Sequence, residues 1–255
     1  MGNLSSYFDI VKVNENLYAF SENKIWYKAN AFLIIQENEG ILIDALSGVY
    51  KRFIKDIEEE FNVKINTLYL THAHYDHFGG YDGRIIKNVY IHENGKKYLT
   101  NYPYSNNFIR KEMSHNGESK FPDDFNLEKY KVKKIKNVLT LKDGDEFSFH
   151  NLKFKVLLTR GHTNDSVCFY ELTNKFLFTG DTFYFGEIDI ADIDSSLSEY
   201  KVTLEKLLSH DVNLYLTDHN KPVINSMEGK EALKNLLKIT NSKLKEGKDK
   251  SLICI

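Results

Sequence analysis

The feature that most constrains this chain is the run THAHYDH, residues 71–77, which places three histidines and one aspartate within six residues. Four such polar side chains are costly to bury without partners. The run follows INTLYL, which reads as a buried strand, and precedes FGG, whose glycines allow a tight turn. His72 and His74 are two residues apart, so they can point the same way from an extended backbone. The pattern predicts a cluster of ligands, which includes Asp76 and His77, at the end of a strand.

Three more predicted strands end in histidine or aspartate. His162 follows FKVLLT, Asp181 follows FLFTG, and His219 comes just after LYL. Residues at several strand ends are how a sheet builds one site from distant parts of a chain. Imidazole and carboxylate ligands without thiolate favour zinc, with iron and manganese as alternatives. Two pairs of ligands on one loop suit two metal ions better than one.

Length and composition limit the class of protein. The chain has 255 residues, 27% of them charged, and a formal net charge of −2, which argues against nucleic acid as its main partner. No apolar run approaches the roughly 20 residues that a bilayer crossing needs. The two cysteines form no Cys-x-x-Cys pair, which fits a reducing, cytoplasmic location. Since no linker or low-complexity tract divides the chain, we expect a single domain over residues 1–255.

The first residues, MGNLSS, fit the N-myristoylation pattern at Gly2, and a chance match is the alternative. The signal has a meaning only in a eukaryotic source, and one myristoyl chain anchors weakly and reversibly. We therefore expect no stable membrane insertion, with membrane association only if Gly2 is myristoylated.

The remaining pattern mixes strands and helices. Strand-like runs precede residues 49–63, whose apolar spacing predicts a helix, and residues 195–211 and 226–246 predict two more, the last capped by Ser226. The order β–β–α–β indicates a layered α/β or α+β domain. An aromatic segment from Tyr98 to Tyr130 predicts either a substrate wall or a cover for the core. Its wall candidates are Phe108, Met113 and Phe121, with Trp26 and Tyr27 as the opposite rim.

The motif His72-x-His74-x-Asp76-His77, followed by His162, Asp181 and His219, resembles the metallo-β-lactamase superfamily. The resemblance implies the α+β fold class, a four-layer αβ/βα sandwich with two metals at one edge. It also implies a first metal held by His72, His74 and His162, a second held by Asp76, His77 and His219, and Asp181 bridging both. Such a pair of metals would share a hydroxide that is nucleophilic near neutral pH.

Details of the motif narrow this resemblance. Asp181 stands where the best-known lactamase subclass has cysteine, so the chain is more similar to hydroxyacylglutathione hydrolases, acyl-homoserine lactonases and acyl-CoA thioesterases. The lactonases also have a tyrosine near this position that assists at the substrate carbonyl, which implies a catalytic role for Tyr184. Asp76 is the second catalytic candidate, as a group that orients the nucleophile or carries a proton. The turn LTDHNKP departs from the usual Pro-Gly-His-Gly.

The function predicted from this pattern is hydrolysis of a thioester, ester or lactone carbonyl in a small acyl substrate, with two Zn²⁺ as cofactors. One alternative is a mononuclear iron oxidoreductase of the persulfide dioxygenase type, which needs only His72, His162 and Asp181. Others are a β-lactam hydrolase, a nuclease and a non-catalytic binding module; a nuclease lacks its usual extra arm here, and a binding module is expected to have lost ligands. The acyl group, the leaving group and the oligomeric state stay open.

Overall fold

The structure is a computed structural model that describes residues 4–117 and 119–255, without the side chain of residue 116. Gly2, the predicted myristoylation site, lies outside the described residues. No described helix combines the length and apolar character needed to cross a membrane. The chain divides into two compact units, here called the first unit (Met1–Ile91 with Gly95–Thr140) and the second unit (His92–Asn94 with Leu141–Ile255). The expectation of one domain stays a prediction.

The first unit is built on a seven-stranded mixed sheet whose strands lie in sequence order. The first four strands pair antiparallel, whereas β4, β5 and β6 pair parallel. A parallel pair needs a crossover connection, and α1 supplies it between β4 and β5. The strands are β1 (Phe8–Lys12), β2 (Leu17–Glu22), β3 (Asn30–Gln36), β4 (Glu39–Ile43), β5 (Lys64–Tyr69), β6 (Asn88–His92) and β7 (Leu139–Leu141).

Four helices belong to this unit: α1 (Phe53–Phe61), α2 (Tyr75–Phe78), α3 (Lys96–Thr100) and α4 (Asn106–Ser114). The helix predicted over residues 49–63 is confirmed as α1, which buries Phe53, Ile54 and Ile57 in the core. It is shorter than its apolar pattern because residues 48–52 form bends and a turn, and because Asn62 ends the helix in the left-handed conformation.

The aromatic segment contains α4 and covers a hydrophobic cluster of the first unit. Met113 is fully buried in that cluster, whereas Phe108 is 46% exposed. The Trp26 ring stacks on His115 at the end of α4, with centroids 4.1 Å apart, and its indole N–H donates to the Glu112 carbonyl at 2.8 Å. Trp26 therefore packs against this segment instead of forming an opposite rim, and Met113 serves as core.

The second unit contains a six-stranded mixed sheet in the order β14-β13-β11-β10-β9-β8 and a two-stranded sheet of β12 and β15. All neighbouring pairs are antiparallel except β11 and β13, which run parallel. The strands are β8 (Glu146–Phe149), β9 (Leu152–Leu158), β10 (Val167–Glu171), β11 (Phe176–Gly180), β12 (Glu187–Ile190), β13 (Leu214–Thr217), β14 (Val223–Asn225) and β15 (Ser251–Cys254).

Two helices complete the second unit, α5 (Leu197–Leu208) and α6 (Ser226–Lys245). Ser196 caps α5 by accepting a hydrogen bond from the Glu199 N–H at 3.3 Å, as expected for a serine before an apolar helix. The predicted cap of α6 at Ser226 is wrong by one residue. Asn225 accepts from the Glu228 N–H at 3.0 Å, and Ser226 is the first helical residue.

The parallel strand pairs decide where the polar residues lie. Strands β4 and β5 of the first unit end before Asp44 and the THAHYDH run, and strands β11 and β13 of the second unit end before Asp181 and His219. Because parallel neighbours end at the same edge of a sheet, each unit gathers the residues that follow its pair at one place.

Candidate metal centre

The first unit holds four predicted ligands in one tight loop. His72 and His77 are fully buried, and His74 and Asp76 are half-buried. The ring of His72 lies 4.5 Å from that of His74 and 4.1 Å from that of His77, centroid to centroid. Asp76 and His77 project from the short helix α2, with ligand atoms within 4.8 Å of each other. Three imidazoles at such distances inside a protein form a concentrated set of metal ligands.

Asp44, directly after β4, fixes the orientation of this loop. One of its oxygens accepts from the Thr71 N–H at 2.9 Å, and the other accepts from the Thr71 hydroxyl at 2.6 Å and from His77 Nδ1 at 2.8 Å. Asp44 is fully buried and has a φ of 56°, an unusual value for a residue other than glycine. Since Nδ1 of His77 is bound to a carboxylate, Nε2 is the nitrogen that it presents as a ligand.

Glycines let the end of this loop pack directly on the chain after β4. A Cβ added to Gly79 would lie 1.9 Å from the Ser47 carbonyl oxygen, and one added to Gly80 would lie 2.0 Å from that of Ala45. The Ala45 N–H donates to the His77 carbonyl at 2.7 Å. The FGG sequence therefore serves close backbone approach, which holds α2 and its two ligands in place.

The second unit brings together His162, Asp181 and His219 from three loops. All three are buried. One Asp181 carboxylate oxygen lies 3.1 Å from His219 Nε2 and 3.5 Å from His162 Nε2. A single carboxylate oxygen that faces two imidazole nitrogens is the arrangement expected of a shared metal ligand.

His162 is held from its other side by β12. Its Nδ1 lies 2.6 Å from the Asp189 carbonyl oxygen, so Nε2 is again the nitrogen directed at Asp181. The Ser195 hydroxyl donates to the His162 carbonyl at 2.5 Å. Gly161 precedes it with a φ of 140°, and a Cβ there would lie 2.5 Å from the Cβ of Tyr200. This loop is therefore fixed by both hydrogen bonds and packing.

Tyr184 lies beside one of these ligands. Its ring centroid is 5.0 Å from that of His219, and its hydroxyl donates to the Glu187 carbonyl at 2.6 Å. A phenol has one proton to donate, so a bond to a substrate oxygen requires this hydroxyl to leave Glu187.

Sequence reasoning missed several residues around these clusters. Asp44 and Asp218 are both fully buried and follow strands, the same signal that identified Asp181. The carbonyl of Asp189 could not be found, because a backbone group has no sequence signature. His92, assigned to the surface or a turn, ends β6 and is only 3% exposed, and burial lowers its pKa. Cys168 is a core residue, as expected, and burial raises the pKa of its thiol to about 11.

The donor set fits divalent metal ions. It consists of imidazole nitrogens and carboxylate oxygens, and two of its histidines have Nδ1 bound to an outer carboxylate or carbonyl. Metal-binding histidines are usually oriented in this way.

Comparisons with known proteins agree with this arrangement. The model of the metallo-beta-lactamase superfamily matches residues 25–219. A hydroxyacylglutathione hydrolase from Francisella philomiragia is 27% identical over 63% of this chain and 52% of its own length. An acyl-coenzyme A thioesterase from Bos taurus is 24% identical over 71% of this chain and 67% of its own length. The chain thus spans about half the length of the hydroxyacylglutathione hydrolases that it matches.

Solved structures share the fold. A metallo-beta-lactamase family protein from Thermus thermophilus superposes with a TM-score of 0.68 at 17% identity, over 92% of this chain and 82% of that one. A metallo-beta-lactamase from Hirschia baltica gives a TM-score of 0.64 at 19% identity, over 91% and 97%. The predicted α+β fold class is therefore confirmed.

Proposed function

Because the chain belongs to the metallo-β-lactamase superfamily, we propose that it is a metal-dependent hydrolase of thioester, ester or lactone carbonyls. The observation that carries the proposal is the pair of anchored imidazoles, His77 on Asp44 and His162 on Asp189. A histidine that only fills space or makes a hydrogen bond has no need of a fixed Nε2, whereas a metal ligand has.

In this proposal the ligands of both units serve one dinuclear zinc centre, with iron or manganese as alternatives. His72, His74 and His162 hold one metal; Asp76, His77 and His219 hold the other; Asp181 bridges both. When bound, two such ions would supply a water-derived nucleophile at neutral pH and polarise the substrate carbonyl. The absence of thiolate from the set favours a catalytic site over a structural zinc site, which is usually rich in cysteine.

The chain's own residues have distinct tasks in this reaction. Asp44 keeps the proton of His77 on Nδ1, and the Asp189 carbonyl does the same for His162, so both Nε2 atoms stay available to metal. Asp76 is half-buried, and its carboxylate can take a proton from the attacking water and return it to the leaving group. Tyr184 donates its hydroxyl to the developing oxyanion after it rotates away from Glu187.

The substrate class follows from two lines of support. The resemblance places an aspartate, Asp181, where β-lactam hydrolases of the best-known subclass have cysteine. The relatives named above include a hydrolase of hydroxyacylglutathione and a thioesterase of acyl-coenzyme A. We therefore favour a thioester of a small acyl group, with lactones as the second class.

The test is a hydrolysis panel on purified, zinc-loaded protein. It covers acyl-CoA, lactoylglutathione, an acyl-homoserine lactone and nitrocefin. We expect turnover of at least one thioester or lactone, loss of turnover when a chelator removes the metal, and recovery when zinc is restored. Activity that persists after verified metal removal, or turnover of nitrocefin alone, would contradict the proposal.

A matched pair of variants separates ligand loss from general damage. His77→Asn removes a buried ligand, whereas His150→Asn changes an exposed turn residue of the second unit with φ of 51°, which asparagine tolerates. We expect His77→Asn to lose activity and bound metal and His150→Asn to keep both.

A further inference from the structure

The first unit contains an open cavity of about 570 Å³ that the proposed reaction does not use. Its wall begins at Gly79, two residues after His77, and continues through Tyr81 and Arg84. The other walls come from Gly48 with Lys51 and from residues between Phe125 and Lys134. The cavity and the metal ligands of the first unit are therefore parts of one continuous loop.

Positive charge is concentrated in this cavity. Six of its lining residues are cationic, and a single carboxylate, Asp82, opposes them. Asp82 is engaged by Arg84 in a two-pronged pair with N–O distances of 2.9 and 2.6 Å. The chain as a whole has a formal net charge of −2, so this excess is local. The six cations are Lys51, Arg84, Lys129, Lys131, Lys133 and Lys134.

Most of this charge is not compensated by the protein. In the described parts of the chain, the ammonium groups of Lys51, Lys129, Lys131 and Lys134 make no ion pair. Lys133 is half-buried and donates to the Tyr81 carbonyl at 2.5 Å. Burial lowers its pKa to about 8; Arg84 and Lys51 act in the same direction, and Asp82 opposes them. A bound polyanion would relieve this repulsion.

The shape and the remaining walls favour a small molecule over a polymer. Pockets for small ligands usually have volumes of roughly 300–1,000 Å³ and are lined by aromatic side chains beside a few polar groups. Here the cavity has Tyr81, Phe125 and Tyr130, the last two with ring centroids 5.9 Å apart. Strand-binding proteins instead use a groove that follows the nucleic-acid backbone, and membrane binding uses an exposed face.

We propose that this cavity binds the phosphorylated nucleotide part of the substrate's leaving group. The lysines would contact the phosphates, and the aromatic walls would contact the base. The inference rests on the proposed thioester hydrolysis and specifies it: the substrate is an acyl thioester of a nucleotide-bearing thiol such as coenzyme A. Hydrolysis adds water across the C–S bond, so that the acyl group leaves as a carboxylic acid and the nucleotide thiol departs with a proton.

The first experiment measures binding without any reaction. Adenosine 3′,5′-bisphosphate carries the phosphates and the base but no thioester, and its Kd is measured by titration calorimetry. We expect the double variant Lys131→Glu/Lys134→Glu to weaken binding by at least about tenfold, because charge reversal at a phosphate site replaces attraction by repulsion. The matched control, Lys96→Glu/Lys111→Glu, changes two exposed lysines of the same unit outside the cavity and should stay within about twofold.

The second experiment tests whether the cavity acts on the leaving group. The same acyl group is presented on coenzyme A and on N-acetylcysteamine, a thiol without nucleotide. The double variant should raise KM for the acyl-CoA by about tenfold and leave kcat unchanged, because a remote contact contributes uniform binding. Both kinetic constants for the short thioester should match those of the unaltered protein.

The outcomes are separable from those of the proposed function. If adenosine 3′,5′-bisphosphate fails to bind, or binds equally to the double variant, the nucleotide assignment is overturned even where thioesters are hydrolysed. If no thioester is hydrolysed while lysine-dependent binding persists, the hydrolase proposal fails, and with it the leaving-group role of the cavity. Tighter lysine-dependent binding to single-stranded RNA or to vesicles of anionic phospholipid than to the nucleotide would also overturn the assignment.

Discussion

The two units place a buried aspartate at the same position, directly after the first strand of a parallel pair, and use it in opposite ways. Asp44 follows β4 and binds hydrogen-bond donors of the protein, Thr71 and His77. Asp181 follows β11 and faces Nε2 of both His162 and His219. The position in the fold is shared, but the neighbours decide whether the carboxylate orients a ligand or is one.

The units also differ in how they gather histidines. The first unit takes its ligands from a single run, with α2 turning the chain back within six residues. The second unit takes one ligand from each of three loops and adds a strand, β12, to hold His162. A short run therefore needs its outer carboxylate to fix it, whereas dispersed ligands depend on the whole unit. Four variants test this contrast.

The largest effect is expected where the carboxylate is itself a ligand. Asp181→Ala should lower kcat/KM by at least about 1,000-fold, because it removes a metal ligand and leaves two imidazoles facing an empty space. Elemental analysis should show less metal per chain. Asp189→Ala is the control, since only the backbone carbonyl of Asp189 contacts His162. Equal metal content in Asp181→Ala and the unaltered protein would remove Asp181 from the ligand set.

A second contrast concerns the glycines that fix the ligand loops. Gly79→Ala in the first unit and Gly161→Ala in the second should each lower the free energy of unfolding by about 3 kcal/mol, because their new Cβ atoms would overlap neighbouring atoms. Gly161 carries added strain from its φ of 140°. Gly144→Ala, also at positive φ but in open space, should cost only about 1 kcal/mol. Urea unfolding measures all three, and equal losses would refute the packing argument.

The orienting carboxylate should matter less than the ligand. Asp44→Asn keeps the shape but cannot accept all three hydrogen bonds, so we expect metal affinity to fall by about 10- to 100-fold. Competition with a chelating dye gives the affinity. Asp56→Asn provides the control, because Asp56 is another buried aspartate of the first unit but binds Tyr50 and Arg52. If both variants bind metal alike, Asp44 has a purely structural role.

The smallest effect is expected for Tyr184→Phe. Since the hydroxyl is already bound to Glu187, its help to the oxyanion is partly offset, and we expect kcat to fall by about tenfold or less with KM unchanged. Tyr170→Phe removes a comparable hydroxyl, which donates to the Asp211 carbonyl at 2.6 Å, and should leave kcat as it was. An unchanged kcat in Tyr184→Phe would exclude the tyrosine from the reaction.

The sequence predicted the ligands better than their supports. His72, His162 and Asp181 were identifiable because a polar residue after an apolar strand is a local signal. Asp44 has the same local signal as Asp181, and only the folded positions of Thr71 and His77 distinguish the two roles.

The missed elements have physical reasons as well. Strands β12 and β15 are four residues each, too short for a clear alternation of apolar and polar side chains, and the lysine-rich sequence before β15 reads as a solvated helix end. Asn225 and Ser226 are both good caps, so their order along the chain does not choose between them. Local preference is ambiguous at each of these points, and tertiary contacts decide the outcome.

Strand β15 gives residues far along the chain an indirect effect on catalysis. Ile253 lies opposite Ile188, and Leu252 lies opposite Asp189, whose carbonyl aligns His162. A survey that ranked substitutions by sequence distance from the ligands would treat residues 251–254 as neutral background. Natural variation or directed evolution there could instead retune the angle of one imidazole without altering any residue that binds metal or substrate.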